Sequence, residues 1–99
     1  MFRKQVEIDG KKYTLGEAVS GEVEECQEAL QASQASGDAR MGTAAMRRFT
    51  AHCLCRGGFS ISAADLPAQF SMTEEAFLFE RAMDASRVRE RPKGEVLGP

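Results

Sequence analysis

The sequence has few of the groups from which active sites are built. It contains one histidine, no tryptophan and three cysteines, and an odd thiol count cannot close into a complete disulfide framework. Cys26, Cys53 and Cys55 therefore read as small buried hydrophobes in a reducing compartment. No apolar run is long enough to span a bilayer, and the first residues read as strand rather than as a basic region followed by an apolar signal core. The chain is accordingly expected in the cytoplasm. Its formal net charge of −2 gives no overall pull toward nucleic acid or anionic lipid. A Gly-rich phosphate loop is also missing, because Gly57-Gly58 follows a helical pattern instead of opening one. With 99 residues there is room for one modest core and not for a cofactor cleft plus a substrate pocket. No cofactor is expected, and the chain reads as a non-enzyme.

What is present is architecture. Asp9-Gly10 lies between two short runs of alternating polarity, the strongest local signal for a hairpin with a type I′ turn. Pairing Ile8 with Lys11 places Glu7 opposite Lys12, Val6 opposite Tyr13, Gln5 opposite Thr14 and Lys4 opposite Leu15. One face then carries Phe2, Val6, Ile8, Tyr13 and Leu15, and the other carries the charge pair and the polar pair. A hairpin alone is marginal in water, so helices must cover its apolar face.

The Thr14-Leu15-Gly16-Glu17 spacing predicts a short helical turn at the end of the second strand. Ser20 is then expected to cap a helix over 21–36 with Val19, Val23, Cys26, Leu30 and Ser33 on one stripe. Gly37-Asp38 supplies a C-cap and a fresh N-cap, and a second helix over 39–56 runs back antiparallel to the first. Gly42, Met46, Phe49 and Cys53 share one of its faces. Phe59 and Ile61 drop from a connector into the core. Ser62 to Asp65 has capping spacing, but Pro67 disfavours a helical Ala64 to Leu66. Ser71 and Glu74 form the better capping box, opening a third main helix to about Val88. Met72, Ala76, Phe79 and Met83 form its stripe and Phe77 and Leu78 lie off it, so the helix either sits deep in the fold or offers a surface to a partner.

The expected fold is α+β: an N-terminal two-stranded antiparallel hairpin packed on a small bundle of three main helices plus short helical turns. It forms a single domain over 1–88, followed by a flexible tail over 89–99.

Charges are sorted along the chain. Between Tyr13 and Asp38 lie Glu17, Glu22, Glu24, Glu25, Glu28 and Asp38 with no base, and between Ala39 and Ala64 lie Arg40, Arg47, Arg48 and Arg56 with no acid. The pattern reads as two neighbouring helices whose solvated flanks attract each other, ahead of the alternative of a partner-binding patch. The only cluster of reactive side chains is His52-Cys53-Leu54-Cys55. His52 and Cys53, adjacent on a helix, point about 100° apart and cannot form a nucleophilic dyad. A metal sensor using His52, Cys55 and Cys26 is one alternative function, although Cys26 should face Cys53 rather than Cys55. No metal site is expected. Glu24/Glu25 and Glu74/Glu75 read as solvated helix faces.

Val6-x-Ile8-Asp9-Gly10-Lys11-x-Tyr13-Thr14-Leu15-x-Glu17, followed by an acidic capped helix, a second helix and the Ser62 to Phe70 segment before a last helix, resembles the tail assembly chaperones of long-tailed bacteriophages and prophages. The resemblance covers residues 4 to 85 in pattern and is sharpest over 4–17. It implies a small non-enzymatic protein of the host bacterial cytoplasm that binds the tape measure protein or tail tube protein during tail assembly. A longer form made by ribosomal frameshifting is a further implication. The partner-binding residues are then expected to be Phe77, Leu78 and Met72 with Arg47 and Arg48. On that expectation, truncating Phe77 or Leu78 weakens capture with a smaller stability loss than Phe49→Ala. The alternative is a small adaptor or regulatory module that binds a host protein, or nucleic acid through the helix carrying Arg40, Arg47 and Arg48. No membrane partner is expected.

Overall fold

The computed structural model describes residues 3–87. β1 (Arg3–Ile8) and β2 (Lys11–Gly16) pair antiparallel in the register that the alternation predicts, Ile8 with Lys11 through Arg3 with Gly16. Asp9 and Gly10 both take positive φ, 51° and 81°, as a type I′ turn requires. Val6 and Leu15 are buried and Ile8 and Tyr13 half-buried, while Gln5, Glu7 and Lys12 on the other face are exposed. The Tyr13 ring packs edge-on against Phe59 at 5.2 Å and against Phe70 at 5.4 Å, so the connector and the short third helix seat the ribbon. Phe2 and the tail expected over 89–99 lie outside the described residues.

Among the described residues four α-helices follow the hairpin. α1 (Ser20–Ser36) and α2 (Ala39–Arg56) are joined through Gly37, left-handed at φ 78°, and Asp38, whose carboxylate accepts from the Arg40 amide at 3.1 Å. They run antiparallel: Gly42 lies against Ser33 and Leu30, Cys26 against the Ala45 carbonyl, and Glu22 against Arg56. A 3-10 turn over Ala63–Asp65 leads into the one-turn α3 (Leu66–Gln69), and α4 (Met72–Arg87) opens at Ser71. There the capping box is reciprocal: the Glu74 amide donates to Ser71 Oγ at 3.1 Å and the Ser71 amide to Glu74 Oε1 at 2.9 Å. Leu15, Phe49, Leu54, Leu66 and Leu78 are the largest buried apolar side chains, and they join the hairpin to α2, α3 and α4 in one core.

Several local expectations fail for identifiable reasons. The Thr14 to Glu17 spacing starts no helix. Gly16 remains in β2, pressed so close to α2 that an added Cβ would lie 2.7 Å from the Arg56 Cβ, and Glu17 is buried in the loop that follows. Ser20 is the first helical residue and not the cap. The Val19 amide is satisfied instead by Glu22 Oε1 at 3.2 Å, and Val19 itself is exposed. Leu66, directly before Pro67, is nevertheless helical at φ −56° and ψ −49°. Its side chain is fully buried, and Pro67 falls in the first turn, where its missing N–H would have no helical partner. Cys55 is exposed, so only Cys26 and Cys53 are the buried thiols expected of all three.

The largest correction concerns α4. Its inward face is Leu78, Ala82, Ala85 and Ser86 with Met83, and the side carrying Met72 and Ala76 looks outward. Ser86 explains part of this choice: its hydroxyl accepts from the Ala18 amide at 2.9 Å and donates to the Ala82 carbonyl at 2.9 Å, pinning α4 to the loop after β2. Leu78, expected at a partner surface, is fully buried.

Candidate protein-binding groove

Residues of α2, α3 and α4 line an open cavity of about 250 Å³. Its apolar lining comes from Met46, Leu66, Met72, Ala76 and Phe79. Each has a structural reason to be there. Met72 is the first residue of α4 after the Ser71 cap, so its side chain projects past the helix end and is 86% exposed. Phe79, two turns on, leans against the buried Phe49 ring at 5.8 Å and closes the floor. Arg47 of α2 reaches across to Glu75 of α4, Nε to Oε1 at 2.7 Å with Nη2 to Oε2 at 3.5 Å, and this bidentate pair forms the polar rim. The rim carries both signs of charge in balance.

A second cleft, about 260 Å³, lies between α1 and α2 and is lined by Glu22, Glu25, Cys26, Ala45, Arg48, Phe49 and His52. Glu22 organises one end of it. Both terminal guanidinium nitrogens of Arg56 bond its carboxylate, Nη2 to Oε2 at 3.0 Å, and His52 Nδ1 stands 3.9 Å from Oε2. The hydrogen bond from Arg56 holds the Glu22 carboxyl below its usual 4.5, against the opposing effect of burial. The same bond pushes Arg56 upward. A depressed folded-state value stabilises the protein above the ordinary carboxylate pKa, and that stabilisation is lost as pH falls through the depressed one. The melting temperature of Glu22→Gln should therefore lie below wild type at neutral pH, and the two should converge well below pH 4.5. Parallel pH profiles with a constant gap would show that this contact does not titrate.

Burial raises Cys26, which lies beneath the Ala45 carbonyl, and pushes Cys53 up to about 11. Cys55, which is exposed, donates to the Ile61 carbonyl at 3.3 Å. Among the described residues no three His, Cys, Asp or Glu side chains are placed to hold a metal ion, and no helix is long and apolar enough to cross a membrane.

Of the five residues singled out from sequence, the fold brings two together: Met72 and Arg47 both border the α2/α4 groove. Arg48 lies in the other cleft. Phe77 is half-buried on α4, with the Arg81 guanidinium 4.9 Å above its ring, and Leu78 is core. Met46, Glu75, Ala76 and Phe79 were missed as groove residues. Their signal was present in the Met72, Ala76, Phe79 stripe and in the α2 face with Met46, but it read as core.

The family models, curated proteins and solved structures compared with this chain include no match to it.

Proposed function

We propose that the chain is a non-enzymatic tail assembly chaperone of the phage or prophage kind, acting in the host bacterial cytoplasm and holding a segment of the tape measure protein in the α2/α4 groove. The observation that carries this reading is Met72, a large apolar side chain 86% exposed at the mouth of a groove lined by Met46, Leu66 and Phe79. Unbranched methionines repack around partners of varied shape, which suits capture of an aggregation-prone chain. The groove is smaller than the roughly 300 to 1,000 Å³ typical of small-molecule sites, so it fits one or two side chains of a docked helix better than a whole substrate. The occupant would be an amphipathic helix presenting apolar residues at i, i+3 or i+4 and i+7, with polar flanks meeting Arg47 and Glu75. The hairpin residues within 4–17 that resemble the family support the reading independently of the groove.

Co-expression with a tape measure protein is the direct test. The wild-type chain should keep it soluble and co-purify with it. Met72→Glu should lose that capture while melting within about 0.5 kcal/mol of wild type, because so exposed a side chain contributes little to folding. A partner that stays insoluble beside the wild-type chain would overturn the function, and full capture by Met72→Glu would overturn the groove as its site.

A further inference from the structure

The hairpin has one open edge. In the observed two-residue hairpin, Ile8/Lys11, Val6/Tyr13 and Lys4/Leu15 are the pairs whose backbone groups face each other, so the N–H and C=O groups of Arg3, Gln5 and Glu7 point away from β2. Among the described residues the sheet has only these two strands, and Arg3, Gln5 and Glu7 are exposed. The outer edge of β2 is closed by contrast. The end of α2 lies on it, so close that a Cβ at Gly57 would fall 1.8 Å from the Thr14 carbonyl oxygen and one at Gly16 would strike Arg56. An unpaired edge is a template for another strand.

We propose that β1 pairs antiparallel with β1 of a second copy of this chain, with Gln5 on the two-fold axis, giving a four-stranded sheet in the order β2-β1-β1-β2. The charge pattern selects this partner and this register. With Gln5 facing Gln5, Arg3 of each copy lies opposite Glu7 of the other, twice by symmetry, and all three outward residues find backbone partners. On the solvent face the row then reads Lys12, Glu7, Arg3 across the interface, alternating in sign, and the central row is Thr14, Gln5, Gln5, Thr14. On the opposite face the Lys4 stem lies beside Val6 of the other copy. Other registers are worse. Sliding two residues one way per pair sets Gln5 against Glu7 and draws in Asp9, whose φ of 51° is not extended. Sliding four sets Glu7 against Glu7 or Arg3 against Arg3, according to direction. Charges on edge strands commonly discourage pairing, but here they are spaced four apart with opposite sign and complement themselves.

Sedimentation equilibrium of the purified chain over a range of concentrations tests the pairing. A reversible monomer–dimer equilibrium is expected, weakened by salt. Arg3→Glu sets like charges opposite each other at both symmetry-related positions and should weaken the dimer about ten-fold or more. The triple variant Arg3→Glu, Glu7→Arg, Lys12→Glu inverts the whole row and should restore it. Gln5→Pro removes an outward N–H on the axis while leaving every β1–β2 hydrogen bond in place, and should abolish the dimer with the hairpin intact. Circular dichroism melts confirm that each variant is folded. A chain that is monomeric throughout, or a dimer indifferent to both Arg3→Glu and Gln5→Pro, would overturn the proposal. Neither outcome depends on the tape measure protein.

Discussion

Leu78→Ala is expected to lower the free energy of unfolding by about 2 to 5 kcal/mol, in the same range as the about 3 to 5 kcal/mol for Phe49→Ala. Both side chains are essentially inaccessible, Leu78 at 0% and Phe49 at 2%. Truncating either loses the transfer energy of the removed carbons and leaves a hole that close-packed neighbours fill only in part. Around Leu78 the neighbours are poorly placed to relax, because Ala82 and Ala85 on the same face have no rotamers to change and Ser86 is fixed by two hydrogen bonds. Phe77→Ala should cost clearly less, since that ring is only half-buried, with the Arg81 guanidinium 4.9 Å above it. Urea unfolding of the three variants with an unchanged m-value separates these cases. A loss below about 1 kcal/mol for Leu78→Ala would mean that α4 does not present this face to the core.

That result bears directly on what the sequence reveals. The hairpin was fully legible because everything that fixes it is local: Asp9 and Gly10 accept positive φ, and a two-residue turn leaves no freedom in the register of Val6, Tyr13 and Leu15. The α1–α2 corner was legible for the same reason, since Gly37 and Asp38 satisfy the ends of their own helices. The inward face of α4 was not. It is chosen by contacts such as that between Ser86 and Ala18, 68 residues apart, and its members Ala82, Ala85 and Ser86 are too small or polar to dominate a periodicity count. Ala76 and Phe79, on the same stripe as Met72, therefore passed for core and in fact line the groove. The error exchanged Leu78 for Met46 and Phe79 as groove residues while leaving Met72 and Arg47 in place.

Gly57→Ala should be more damaging still for its size, with an expected cost of at least about 3 kcal/mol, at or beyond the upper end of ordinary overpacking. Gly57 sits at φ −84°, a conformation open to any residue, so backbone strain contributes nothing. The cost is steric alone. A methyl group there would lie 1.8 Å from the Thr14 carbonyl oxygen and 2.5 Å from its carbon. These are backbone atoms of a paired strand, and no rotamer change moves them. Relief requires the end of α2 to draw away from β2, which pulls fully buried Cys53 and Leu54 from the side of the core that Leu15 fills. The neighbouring Gly58 provides the control, because its properties are reversed: φ is 104° and nothing lies within 4 Å of an added Cβ. Gly58→Ala should cost only the conformational penalty of a non-glycine residue at positive φ, about 1 to 3 kcal/mol. Thermal and urea melts of the two variants, with amide exchange read at Thr14 and Leu15, distinguish the mechanisms. Gly57→Ala should speed exchange in β2 selectively, whereas Gly58→Ala should leave the strand as protected as its global stability allows. If Gly57→Ala were milder than Gly58→Ala, α2 would not close the β2 edge, and the hairpin would have two open edges among the described residues instead of one.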